Sequence, residues 1–85
     1  MSLEAITNSE ISLDQVPQRT IAKIVRIEGG HGFQQHLAQV GIHVGDKVFL
    51  KRSAFIGGPI LISIHNSEIA IGRGMAKKIK CIIES

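Results

Sequence analysis

The chain has no tryptophan, no tyrosine, one cysteine and two prolines among its 85 residues. Each scarcity removes a class of protein. A lone cysteine, Cys81, excludes an intramolecular disulfide and any paired-cysteine zinc site. With only three Phe, the aromatic platform on which single-stranded nucleic acid stacks is missing. No apolar run approaches the roughly 20 residues of a membrane-spanning helix. Met1-Ser2-Leu3-Glu4 offers neither a basic leader nor an apolar stretch, so the simplest address is the cytoplasm. Gly29-Gly30-His31-Gly32 precedes a helical segment, yet no glycine loop here ends in the Lys-Ser or Lys-Thr that a phosphate-binding loop requires. The net charge of +3 is mild for a small domain and does not by itself call for a nucleic-acid partner.

What is abundant is isoleucine, with fifteen copies, joined by five Val and nine Gly. β-Branched side chains suit the pleated, half-buried surface of a sheet, and glycines suit tight turns between short strands. A length of 85 residues allows one domain and leaves little scaffold for catalysis. Residues 1–10 are polar and read as a tail; residues 11–85 read as the domain.

Within the domain, Leu13 and Val16 fit one helical turn or a packed loop closed by Pro17, and plug one end of the core. Thr20 to Glu28 is a strand whose alternation slips at Ile24-Val25, where a bulge is expected. His31 to Val40 is the one helix, with Phe33, Leu37 and Val40 as its apolar stripe and Gly41 at its left-handed end. Asp46–Ser53, Ile60–His65, Glu68–Ile71 and Lys77–Glu84 supply further strands, with a turn at Asn66-Ser67 and a helical turn at residues 72–76. The sum is a mostly β fold, a small SH3-like barrel of about five strands with one short helix. Its expected core is Ile24, Ile27, Leu37, Val48, Leu50, Ile62, Ile64, Ile69, Ile71, Ile79 and Cys81.

Three stretches in this order resemble the FeoA family, small accessory proteins of bacterial ferrous-iron uptake. They are Ile24–Gly30; His36–Val48, with its Val40-Gly41-Ile42 and Gly45-Asp46; and Gly58-Pro59-Ile60 with Ile69-Ala70-Ile71 and Met75-Ala76-Lys77-Lys78-Ile79. The likeness runs from residue 20 to 83. His36 stands where the family commonly has arginine, Val40 replaces a leucine, and Gln18-Arg19 replaces a glycine. The resemblance implies a non-enzymatic role through contact with the cytosolic, GTPase-bearing part of a FeoB-type transporter. No cofactor and no nucleic-acid partner are expected, and the resemblance places membrane association only through that transporter. The chain itself is expected to be a monomer or a weak homo-oligomer.

The four histidines do not form a metal motif. His31 and His36 are five apart and fall on different helix faces, and no pair has the i, i+4 spacing of helical ligands. No carboxylates cluster near them in sequence. Cys81 alternates with Ile79 and Ile83 and reads as a core thiol. Arg73, Lys77, Lys78 and Lys80 form a basic group that reads as a solvated strand face; a nucleic-acid-binding or transcriptional-regulator module is the alternative it would support. The expected partner surface is His36, Leu37, Gln39, Val40, Ile42, His43 and Val44, where four aliphatics crowd a nine-residue span fixed by Gly41 and Gly45. Leu37 and Ile42 are its best single candidates, although Leu37 also serves the core.

Overall fold

Alternating apolar residues resolve into six strands of one sheet in the computed structural model, which describes residues 9–84. They are β1 (Ile11–Ser12), β2 (Ile21–Ile27), β3 (Lys47–Arg52), β4 (Ile60–Ile64), β5 (Ser67–Ile71) and β6 (Ile79–Ile83). Two helices interrupt them, α1 (His31–Gln39) and α2 (Arg73–Ala76). The order across the sheet is β1-β6-β2-β3-β4-β5, with every neighbouring pair antiparallel. The fold is mostly β with a short helix, as expected, but with six strands instead of about five. The extra one is β1, where Ile11 faces Cys81 and Ser12 faces Lys80. Two residues are too few to show alternation. Of the expected N-terminal tail, residues 1–8 lie outside the described residues.

Two bulges let the sheet curl. Ile24 pairs with Cys81 and Arg26 with Lys80, so Val25 is the extra residue where the sequence pattern slips. Leu50 pairs with Ile62 and Arg52 with Leu61, which makes Lys51 the extra residue of β3. The β4–β5 turn differs by one position from expectation. Its two central residues are His65 and Asn66, with φ of 50° and 64°, and Ser67 already belongs to β5. A two-residue turn with both φ positive matches the right-handed twist of its strands.

The core holds nine of the eleven residues expected there, Ile62 and Cys81 among them. Ile27 and Ile69 are only partly buried and pack on its margin. Leu13, on a 3-10 turn over Leu13–Gln15, and Val16, which follows it, are buried in the core. Ala22, Ile42, Ile60 and Ala76 are buried as well. Ile83 keeps phase with Cys81 yet lies at the strand's end and is exposed.

Burial pushes the Cys81 thiol up from 9.0 to about 12. The folded chain therefore holds the proton where the unfolded chain releases it. Stability from this group is complete below about pH 9 and is lost as pH climbs toward 12. Denaturant midpoints of the parent are expected to fall more steeply than those of Cys81→Ala between about pH 9 and 11. Parallel pH profiles for the two proteins would rule this out.

Candidate functional site

Helix α1 begins after Gly30, and the Gln34 amide closes its first turn on the Gly30 carbonyl at 3.1 Å. Its other end decides which residues of the expected partner surface reach solvent. Gly41 adopts φ +92°, the left-handed conformation that suits a residue without Cβ. The Gly41 N–H donates to the Ala38 carbonyl at 3.1 Å, and the Ile42 N–H to the Leu37 carbonyl at 2.9 Å. These two bonds are the Schellman pattern, which folds the residue after the glycine back over the last helical turn.

Ile42 is consequently core, at 1% exposure, and so is Leu37. The expectation that Ile42 stands out as a docking residue is wrong, and Leu37 serves the interior alone. Val40, expected to continue the helical stripe, follows the last residue of α1 and is 44% exposed. Val44 is 59% exposed, and His36, Gln39 and His43 are exposed as well. Five of the seven expected surface residues thus remain accessible: His36, Gln39, Val40, His43 and Val44.

The loop that carries Val44 is fastened on three sides. The Gly45 N–H donates to the Ile24 carbonyl at 2.7 Å, and the Ile24 N–H to the Asp46 carbonyl at 2.8 Å. The Asp46 carboxylate accepts the His43 N–H at 2.7 Å. It also lies 3.1 Å from His65 Nε2, which ties the loop to the β4–β5 turn. Asp46 organises the loop from a half-buried position, a role the sequence reading missed. An Asp closing a short turn onto a nearby amide is the available signal.

Asp46 also gathers His43 and His65, which are far apart in the chain. Even so, no group of three or more His, Cys, Asp or Glu is placed to hold a metal ion among the described residues. His31 and His36 are exposed on α1.

The basic group is partly engaged. Lys80 donates to the Lys77 carbonyl at 2.9 Å and lies 3.7 Å from Glu28. Lys78 sits 5.0 Å over the Phe33 ring. Arg26 bonds Glu10 at 2.8 Å and Glu28 at 2.5 Å, and its hydrogen bond holds the Glu28 carboxyl below the ordinary range. A second apolar feature has no periodic signal in the sequence. Phe55, on a 3-10 turn over Ala54–Ile56, is 76% exposed beside Gly57 and Gly58, both at positive φ.

Residues 11–82 match the family model described as the FeoA domain. A Methanocaldococcus jannaschii protein named as Fe(2+) transport protein A is 43% identical over 56 residues, a stretch covering 66% of this chain and 66% of that protein. The fold is similar to the crystal structure of an iron uptake regulatory protein (FeoA), with a TM-score of 0.79 and 26% identity over 89% of this chain and 99% of that one. It is similar, in fold alone, to IdeR of T. acidophilum, with a TM-score of 0.78 and 16% identity over 89% of this chain and 35% of that one. The SH3-like architecture expected from the strand pattern is common to these structures.

Proposed function

The chain belongs to the FeoA family, and from that premise we propose that it is a non-enzymatic accessory protein of ferrous-iron transport that docks on the cytosolic, GTPase-bearing part of a FeoB-type transporter. The observation that carries this reading is the ridge after α1. Val40 is exposed at the end of α1, and Val44 is exposed on the loop that follows, which is held to β2 and to the β4–β5 turn. A loop already fixed in shape loses little ordering entropy on docking, and its apolar side chains gain by leaving water. His36, Gln39 and His43 supply a polar rim. The working site on this reading is cytoplasmic, and the membrane is reached through the transporter. Among the described residues, no helix is long and apolar enough to cross a membrane.

The test is binding of the transporter's cytosolic domain by calorimetry. Val44→Asp, alone and with Val40→Asp, is expected to weaken binding by about tenfold or more, the scale of a hot-spot truncation. Both side chains face solvent, so the melting temperature is expected to move little. Lys77→Glu with Lys78→Glu is expected to bind nearly as the parent does. Loss of binding on the charge reversal, with none on the valine variants, would place the contact on the basic face and overturn the proposal.

A further inference from the structure

The sheet has two edges, and they are not alike. Strand β1 is two residues long, and a strand that short offers almost no template for another chain. Strand β5 has five residues, no proline, no lysine and no bulge against β4. Those are the devices by which edge strands usually refuse a neighbour.

Which backbone groups β5 presents follows from the sheet itself. The Leu50 N–H donates to the Thr20 carbonyl at 2.9 Å, and the Leu50 carbonyl accepts the Arg19 N–H at 2.7 Å. Leu50 therefore points its amide groups toward β2, and its neighbour Phe49 points toward β4, where it meets Ser63. Ser63 in turn faces β3, so Ile62 and Ile64 face β5 and engage Ile69 and Ser67. By the same alternation, Glu68 and Ala70 aim their N–H and C=O groups off the open edge. No further described strand pairs with β5.

We infer that β5 is a pairing edge for a second copy of the same chain, joined antiparallel about a two-fold axis at Ile69. Centring on Ile69 sets Glu68 of each copy opposite Ala70 of the other. These are the residues whose amide groups point outward, so two hydrogen-bonded pairs form. The same register keeps the two Glu68 carboxylates apart, whereas a two-fold on Glu68 would oppose them directly. The two Ile69 side chains, each only partly buried in one copy, meet at the close, non-hydrogen-bonded position. Lys51 pairs with Glu68 on the outer face of the sheet and draws its charge away from the edge. A pairing edge is independent of the ridge at Val40 and Val44.

The register makes a signed prediction at Ala70, which is exposed. Ala70→Lys sets a lysine opposite each Glu68 of the other copy, twice by symmetry; Ala70→Glu sets like charges there. Sedimentation equilibrium at low salt is expected to show self-association roughly 2- to 30-fold tighter for Ala70→Lys and weaker by a similar factor for Ala70→Glu. Amide exchange at Glu68 and Ala70 is expected to slow as protein concentration rises. Ala70→Pro, which removes an outward N–H and no backbone bond among the described residues, is expected to abolish both effects while keeping the fold. A parent that stays monomeric to about 1 mM, or Lys and Glu variants that shift the same way, would overturn the inference. So would protection of those amides only when an extended peptide from another protein is added, since that would make the edge a peptide groove.

Discussion

Ile42→Asp is expected to abolish cooperative folding at neutral pH, not merely to remove one contact with a partner. Ile42 is 1% exposed and joins the core beside α1. An aspartate there would bury an ionised carboxylate with no partner, or force its protonation at a cost of several kcal/mol. Native domains of this size hold only about 5–15 kcal/mol in total. The lost isoleucine packing adds roughly 2–5 kcal/mol more. Far-ultraviolet circular dichroism is expected to show no thermal transition, or one lowered by tens of degrees (~4–8 °C per kcal/mol for a domain this small). A melting temperature within a few degrees of the parent's would return Ile42 to the surface and reinstate it as a docking residue. Ile42→Val is the companion variant. It keeps the site apolar, is expected to cost about 0.5–1.5 kcal/mol, and should leave partner binding intact.

The next largest effect is expected at Ile62. It is fully buried at the centre of β4, flanked across the sheet by Leu50 on β3 and Ile69 on β5. Truncation to Ala removes three carbons from a packed position between two paired strands, where the backbone has little freedom to close the void. The cost is expected at about 2–5 kcal/mol, read from urea unfolding as a lower midpoint with an unchanged slope. Its neighbour Ser63 faces the other side of the sheet, so Ser63→Ala is expected to change stability by well under 1 kcal/mol. If the two variants exchange these magnitudes, the strand is registered one residue away from the described pairing.

Much of the fold was legible because its signals are local. Ile60, Ile62 and Ile64 alternate over an unbroken strand, and their shared face follows from the pleat. The slip at Ile24-Val25 is visible as two apolar pairs out of phase, and the bulge sits there. The candidate site was legible in outline and wrong at Ile42. Counting aliphatics over residues 36–44 treats them as equivalent, but Gly41 makes them unequal. Once a left-handed glycine ends a helix, the next residue turns inward and the one before it is freed. Gly41 reads as a cap in the sequence, and it is the cap that sends Ile42 inward. Asp46 and His65 lay beyond any sequence argument, since 19 positions separate them and only the sheet brings them together. Phe55 carries no sequence signal, because a loop aromatic has no periodicity to betray which way it faces.

The placement of β6 has a consequence for how the molecule comes into being. The last described strand lies between the first two, pairing with β1 on one side and β2 on the other. A nascent chain on the ribosome can zip β2 through β5 as a meander, each strand beside its predecessor. It cannot complete the sheet until Ile79–Ile83 have left the exit tunnel, because until then β1 has no strand to join and β2 shows a bare flank. The joining of two strands separated by some seventy residues is a slow, entropically costly loop closure, of the kind that places β-rich domains among the slower two-state folders. The meander formed earlier must therefore wait for β6 with an open edge, the state in which a β protein is most exposed to misassociation.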